Sequence, residues 1–450
     1  MPQQEWYVRK CILALGGLLV NIKYIDLFCG LGGLRLGFEA ALQSAGLKGQ
    51  HVFSSEIKRY AVEAYKYNFG DTPNGDITKI EATDIPDFDF LLAGFPCQAF
   101  SSAGRRLGFE DTRGTLFFDV ARILKAKNPK GFLLENVEGL VSHDNGKTLD
   151  TMIGVLEDIG YTVDWQVFDS KDFGLAQSRK RIYIYGTSSQ AVTLGAIRPR
   201  FSSLSDIIEH SIPAKETEFT KKLLKYYAIE DVIGKKIKDK RGGADNIHSW
   251  NFALKGDVST SQKELLELLL KQRRNKKWAD IYDIDWMDGM PLTVEMILSF
   301  YNDSNLKDTL DDLVAKGYLA YEHPKKKEGN KRVYDTNKPK GYNIVTGKLS
   351  FEYSKILDPA DIAPTLVATD VMRLGVPVGK GIRSLTVREG LRLFGFPENY
   401  NLDFLKAKDA FDLLGNTVSI PVVTHVSSHV IKSALTKESM SNVTIARTAI

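Results

Sequence analysis

The sequence predicts a doubly wound α/β sheet with a second, smaller region inserted late in the chain. Three observations carry that expectation. Short apolar strand patterns alternate with helical patterns between residues 23 and 185, a glycine turn joins the first strand to the first helix, and the alternation stops near Arg198. The opening strand pattern runs from Lys23 to Cys29 and is followed by Gly30-Leu31-Gly32-Gly33 and a helical pattern from Leu34 to Leu42. Strand, glycine turn and helix open a nucleotide-binding βαβ unit, in which the glycines let the backbone approach a ligand and the helix start offers free N–H groups. The stretch beginning at Asp26 does not have the dinucleotide GxGxxG spacing, so a dehydrogenase is excluded. His51 to Ser55 reads as a second strand ending at Glu56, where a carboxylate can take both ribose hydroxyls. Gly75-Asp76-Ile77 puts another acid after a turn. The alternation continues through strand Phe88–Ala93, helix Thr115–Ala126, strand Gly131–Glu135, helix Thr148–Ile159, and strands near Tyr161–Phe168 and Arg181–Tyr185.

The strand from Phe88 to Ala93 ends in Gly94-Phe95-Pro96-Cys97-Gln98-Ala99-Phe100-Ser101, which presents a cysteine on a turn. A thiolate with a lowered pKa is a strong nucleophile, whereas a lone cysteine with no such setting is a small buried hydrophobe. Glu135 closes the neighbouring strand pattern, so it reaches the carboxyl edge where open α/β sheets bind ligands, near Cys97. Gln177-Ser178-Arg179-Lys180-Arg181 places two arginines just before another strand, able to orient a carboxylate or a base through paired hydrogen bonds; surface solvation is the plainer alternative.

At 450 residues the chain has room for two domains, and 43% hydrophobic with 26% charged residues is a globular composition. Sixty basic and 56 acidic residues leave a net charge of +4, so any nucleic-acid surface must be a local patch. Three cysteines (Cys11, Cys29 and Cys97) with no CxxC pair support neither a disulfide framework nor a zinc site, and point to the cytoplasm. Residues 1–21 read as a leader or a mis-assigned start. The apolar run Cys11–Val20 is too short to span a bilayer and lacks a cleavage site; translation from Val20 is a second reading.

Taken together, the motifs resemble a bacterial DNA cytosine-5 methyltransferase of the restriction-modification type. They run in family order: Asp26–Gly33, Glu56, Gly75–Ile77, Gly94–Ser101, Glu135–Val137, Gln177–Arg181, then Arg388-Glu389 through Phe396-Pro397, and Gly415-Asn416-Thr417-Val418. Gly108 to Phe117 resembles the segment that follows the family's mobile catalytic loop. The resemblance implies a Rossmann-like domain that takes S-adenosylmethionine, becoming S-adenosylhomocysteine, and needs no metal. It implies attack by Cys97 on carbon 6 of a flipped cytosine, with Glu135 relieving ring charge at N3, Arg179 and Arg181 in support, and Gln98 and Ser101 filling the vacated stack or holding phosphate. It assigns Asp26, Phe28, Gly30, Leu31, Gly32, Glu56, Ile57, Asp76, Ile77, Leu116, Asn416 and Val418 to the cofactor pocket.

The same resemblance implies a catalytic domain over 22–197, a target recognition region over 198–405, a return to the catalytic domain over 406–436 and a tail over 437–450. Ile233 to Gly243 reads as a solvated lysine-rich loop, and Leu391 to Pro397 as support for the recognition region. Within that region Ser261–Arg274, Thr293–Phe300 and Leu306–Gly317 read as helices, and a strand-like return follows at Val333-Tyr334. Three short helices and a hairpin resemble a winged helix inserted over 260–345, with Lys325, Lys326, Lys327 and Arg332 facing phosphate; the alternative is a helical module whose charges are merely solvated. Thr365, in a threonine-leucine pair, is a candidate for base contact. The expected partner is double-stranded DNA, bound by a monomer without a membrane anchor, with any restriction endonuclease a separate protein. A tRNA cytosine-5 methyltransferase of related fold and a DNA-binding regulator are the competing readings. Phe95 before Pro96-Cys97 and the long recognition region favour DNA, and intact Cys97, Glu135 and Arg179 argue against a silent regulator.

Overall fold

A computed structural model describes residues 21–96, 116–283, 289–329, 331–346, 351–367 and 371–447, the last eleven of these by backbone alone. The chain divides into a sheet unit, comprising residues 1–208, 360–371 and 386–450, and an inserted unit comprising 209–359 and 372–385. No helix among the described residues is long and apolar enough to cross a membrane.

The sheet unit is built on strands β1 (Asn21–Leu27), β2 (Lys48–Ser55), β3 (Phe90–Gly94), β4 (Gly131–Val137), β5 (Thr162–Asp169) and β6 (Lys180–Thr187), in the spatial order β2-β1-β3-β4-β6-β5. The first four are mutually parallel, while β6 runs antiparallel to both β4 and β5. Helices α1 (Gly33–Ser44), α2 (Arg59–Phe69), α3 (Leu116–Lys127) and α4 (Lys147–Asp158) connect them. The expected strands and helices are present with ends shifted by at most three residues; α2 was not anticipated. Alternate residues of the central strands enter separate cores on the two sheet faces. Ile25, Leu27, Leu91, Ala93, Leu134 and Ile184 pack with α3 and α4. Tyr24, Phe90, Leu92, Leu133, Tyr183 and Tyr185 pack with α1 and with the last helix, Ile420–Arg447. Burial on both sides explains why these strands read as continuous apolar runs. The last helix lies close to α1 because Gly37 has no side chain: a Cβ there would sit 2.5 Å from Val423.

The inserted unit holds a five-stranded sheet of short strands and a helical module. Its sheet includes Lys236–Ile237, paired with Lys355–Ile356 and Asn246–Ile247. Ile237 and Asp239 are buried. The lysine-rich run expected to be a solvated loop is thus partly an inner strand, because Ile237 fills a core with Phe219, Leu223 and Tyr353. The module contains α5 (Thr260–Gln272), α6 (Lys277–Tyr282), α7 (Val294–Leu298) and α8 (Leu306–Ala315), followed by strands β7 (Leu319–Glu322), β8 (Lys325–Glu328), β9 (Lys331–Tyr334) and β10 (Gly341–Ile344). Leu292, just before α7, bridges Tyr342 of β10. Leu265, Leu269, Ile297, Leu310, Leu313 and Tyr342 share its core.

The two compact units divide at residues other than 198 and 405. The chain enters the inserted unit at Glu209, visits the sheet unit over 360–371, and returns for good at Thr386. Thr365 and the run Leu391–Pro397 therefore belong to the sheet unit. Backbone bonding accounts for this: Ala363 bridges Gln177 in parallel, and the Gln177 side chain donates to the Leu393 carbonyl at 3.1 Å while accepting from the Leu366 N–H at 3.1 Å.

Candidate active site

The parallel register brings four strand ends to one edge. Leu27 lies beside Ser55 and Ala93, and Gly94 lies beside Glu135. Phe28, Gly30 and Gly32 in the turn after β1 all have positive φ, which turns the backbone sharply into α1. At Gly32 the need is steric as well: a Cβ would lie 2.4 Å from the Phe69 ring. Glu56, at the end of β2, accepts from the Gly30 N–H at 3.0 Å and from the Ile57 and Lys58 N–H groups at 2.8 Å. Its carboxylate therefore fixes the glycine turn and its own turn together. Ile57 is 75% exposed at this edge. Asp76 caps the turn Ile77–Lys79 by accepting from the Thr78 N–H and hydroxyl, and those bonds hold its pKa below the ordinary carboxylate value.

Asp26 is fully buried, and neither of its carboxylate oxygens makes a hydrogen bond of ordinary geometry among the described residues. Burial pushes its pKa well above the usual range, against the pull of Arg35. Arg35 is a residue that sequence reasoning missed. It donates to Asp71 at 2.6 Å and to the Tyr65 hydroxyl at 3.2 Å, and lies 4.3 Å from the centre of the Phe69 ring. This network fixes α1 and α2 beneath the glycine turn. Its members are scattered over 37 positions, so no local spacing announces it. Leu31 and Ile77 are buried beside the turn, and the Leu31 carbonyl accepts from the Tyr400 hydroxyl at 2.7 Å. Val418 packs against Gly33, where a Cβ would sit 2.8 Å from it. Asn416 closes the helix Ala407–Gly415, donating to the Asp412 carbonyl at 2.8 Å, and Asp412 pairs with Lys58 at 2.7 Å. The closing motif is thereby brought to the glycine turn and the Glu56 turn. Leu116 begins α3.

On the other side of β3 the edge is charged and largely buried. Glu135 is 8% exposed, and its Oε1 lies 3.1 Å from Arg181 Nε. A Cβ on Gly94 would be only 3.7 Å from Glu135 Oε2, which places the carboxylate against the strand that leads to Cys97. Burial raises the Glu135 pKa, with Arg181 and then Arg179 opposing the rise. Arg179 makes no hydrogen bond to Glu135 among the described residues. It donates to the Leu366 carbonyl at 3.1 Å and the Gly415 carbonyl at 3.0 Å, and burial lowers its pKa to about 10. Asp169 accepts from the Arg179 N–H at 2.9 Å and the Ser178 hydroxyl at 2.8 Å, holding this stretch. The Thr365 hydroxyl donates to the Ser178 carbonyl at 2.7 Å.

Asn136 was part of a quoted motif but had no expected role. Its side chain donates to the Phe95 carbonyl at 3.0 Å, pinning the backbone immediately before Pro96-Cys97. Adjacent strand residues face opposite sides, so sequence reading gives Asn136 no link to Glu135's neighbours. Cys97, Gln98 and Ser101 lie outside the described residues. Cys29, the other cysteine of this region, is buried, and burial pushes its thiol pKa well up, a setting that disfavours the thiolate. Among the described residues no group of three or more His, Cys, Asp or Glu is placed to hold a metal.

The sequence model of the C-5 cytosine-specific DNA methylase family matches residues 22–432. Type II methyltransferase M.NlaIV of Neisseria lactamica is 56% identical over 419 residues, covering 91% of this chain and 99% of that protein. Type II methyltransferase M.NgoBV of Neisseria gonorrhoeae is 54% identical with the same coverage, and M.BanI of Aneurinibacillus aneurinilyticus is 42% identical over 90% of this chain and 95% of that protein. The crystal structure of S. pombe Dnmt2 methyltransferase matches with a TM-score of 0.51 at 15% identity, covering 92% of this chain and 99% of that one, a likeness of fold. The chain belongs to the C-5 cytosine-specific DNA methylase family and is a DNA cytosine-5 methyltransferase that uses S-adenosylmethionine.

Proposed function

We propose that methyl transfer takes place at the sheet edge between the Glu56 turn and Glu135, with Cys97 as nucleophile and double-stranded DNA as substrate. The observation that carries this reading is the pairing of Gly94 with Glu135, which sets a buried carboxyl beside the strand that ends three residues before the cysteine. Addition of the Cys97 thiolate to carbon 6 of cytosine loads electron density onto the ring. A protonated Glu135 relieves it by donating to ring N3, and burial keeps that proton on the carboxyl to higher pH than usual. Carbon 5, now nucleophilic, takes the methyl group. Loss of the carbon-5 proton and expulsion of the thiolate then restore the ring and the enzyme. Arg181 holds Glu135 in place, and Arg179 acts as a positioning residue that ties the Gln177–Arg181 stretch to the closing motif. These carbons are shielded within a duplex, so the base must leave the stack, and Gln98 and Ser101 are suited to occupy the gap.

The residues at the glycine turn fit a nucleoside methyl donor. The left-handed turn leads into the α1 N-terminus with its free N–H groups, Glu56 and Asp76 offer carboxylates, and Ile57 exposes an apolar side chain against which a base can pack. The bound cofactor supplies an electrophilic methyl group at this edge. The relatives are Type II methyltransferases, which supports a place beside a separate restriction endonuclease.

The adduct itself can be trapped. Plasmid duplex containing 5-fluorocytosine cannot lose a proton from carbon 5, so enzyme and methyl donor should give a complex that survives denaturing electrophoresis. Its absence with wild-type protein, or its presence with Cys97→Ser, would overturn the covalent route.

A further inference from the structure

Residues Tyr321 to Lys340 hold seven basic and three acidic side chains, and composition alone gives every lysine the same standing. The fold separates them. β7 pairs antiparallel with β10, and β8 pairs antiparallel with β9, so the chain leaves the module's core as a two-stranded ribbon. Successive strand residues point to opposite faces, and directly opposed partners share a face. Lys325 opposes Tyr334 and Lys327 opposes Arg332, which puts these four on one face. Lys326 opposes Val333 and Glu328 opposes Lys331, which makes up the other.

The faces differ in charge. On the second, Glu328 lies across from Lys331 and 3.3 Å from Lys326 Nζ, so this face carries a carboxylate among its cations. The first carries three cations and no carboxylate. Glu322, at the ribbon's base, accepts from the Tyr334 hydroxyl at 2.8 Å. Lys325 Nζ stands 4.8 Å from the centre of the Tyr334 ring, which orients the cation without neutralising it. Tyr334 is 50% exposed, and Lys327 and Arg332 are exposed. A basic face with an exposed tyrosine is chemistry suited to phosphate oxygens, and a two-stranded ribbon fits the major groove of B-DNA.

The module's last helix has the opposite character. In helix-turn-helix readers such a helix enters the major groove. Here α8 carries Asp308, Asp311 and Asp312 against Lys307 alone. Asp311 is held by Lys307 at 2.8 Å and by the Tyr342 hydroxyl at 2.6 Å, and Asp312 by Lys316 and Gln262, both at 2.6 Å. These bonds fix carboxylates on the surface that would have to meet the polyanion.

Resting on the DNA methyltransferase reading, we propose that the ribbon face formed by Lys325, Lys327, Arg332 and Tyr334 is a second contact with duplex DNA, made through phosphates, and that α8 takes no part in it. Lys326, grouped with its neighbours on sequence grounds, is left out of the contact by the register.

The test uses the full-length protein, a labelled unmethylated plasmid fragment and a series of salt concentrations. The variant Lys325→Gln/Lys327→Gln/Arg332→Gln should lower the slope of log affinity against log salt by about three, near one for each lost phosphate contact. Lys327→Gln alone should lower it by about one, which keeps the test sound if the triple variant unfolds. Lys326→Gln/Lys331→Gln and Asp308→Asn should leave the slope within its error. An equal fall for both ribbon faces, no fall for either, or a change confined to Asp308→Asn would overturn the assignment. A wild-type protein that methylates no duplex DNA would instead overturn the functional reading, and methyl transfer measured on the same preparations separates the two failures.

Discussion

The carboxyl edge of the sheet unit and the ribbon of the inserted unit both depend on charge, but in opposite surroundings. Glu135, Arg179 and Asp26 are buried, each in a position fixed by neighbouring strands, and burial shifts the pKa of each. The ribbon's cations lie at the surface, with Lys327, Lys331 and Arg332 exposed. Low dielectric makes buried charge strong and intolerant of change, whereas exposed charge is weak, additive and screened by salt. Chemistry at one reacting atom suits the first setting. Grip on a long polyanion suits the second.

The contrast predicts a steep gradient of effects. Replacing Glu135 with glutamine keeps shape and removes the transferable proton; the methyl-transfer rate should fall by about 10²–10⁴-fold, with cofactor affinity little changed. A fall of less than tenfold would show that the buried carboxyl does not perform acid catalysis. The same variant tests stability. The folded-state pKa of Glu135 is raised, so the folded protein keeps a proton that the unfolded chain releases. Stability is full below the ordinary glutamate pKa and declines as pH rises through the window up to the raised value. Glu135→Gln should flatten that decline in urea denaturation followed across pH.

Asn136→Ala comes next. It leaves the buried Phe95 carbonyl without its donor at a cost of about 1–3 kcal/mol. If Asn136 positions the cysteine turn, kcat should fall while the KM for S-adenosylmethionine holds; parallel losses would mark a purely structural role. Gly32→Ala acts on the cofactor side. The left-handed backbone alone costs about 1–2 kcal/mol, and the clash with Phe69 adds to it, so cofactor affinity and thermal stability should fall together. Arg181→Met should move the alkaline limb of the pH–rate profile upward, because removing the cation favours protonated Glu135 still more. The smallest effect belongs to the ribbon, where single lysine replacements should change affinity only a few-fold near physiological salt.

Legibility followed the same division. The alternation of strands and helices was readable because parallel strands buried on both faces are unbroken apolar runs, and because Gly30–Gly33, Glu56 and Glu135 all fall at strand ends. The partners of those residues were not readable. Asn136 reaches Phe95 across 41 positions, and Gln177 reaches Leu393 across 216, distances at which no periodicity connects two residues. In the inserted unit, strands of two residues such as Lys236–Ile237 are too short to leave a pattern. The basic stretch after Tyr321 was visible as composition, but only the pairing of Lys327 with Arg332 divides it into a charged and a compensated face.

The most direct test of the central claim is nucleoside mass spectrometry of unmethylated plasmid DNA incubated with S-adenosylmethionine and either wild-type protein or Cys97→Ser, with unmodified tRNA as a parallel substrate. The expected result is 5-methylcytosine in DNA with the wild type alone. Methylation at an exocyclic nitrogen, methyl transfer to tRNA in place of DNA, or undiminished activity of Cys97→Ser would contradict it.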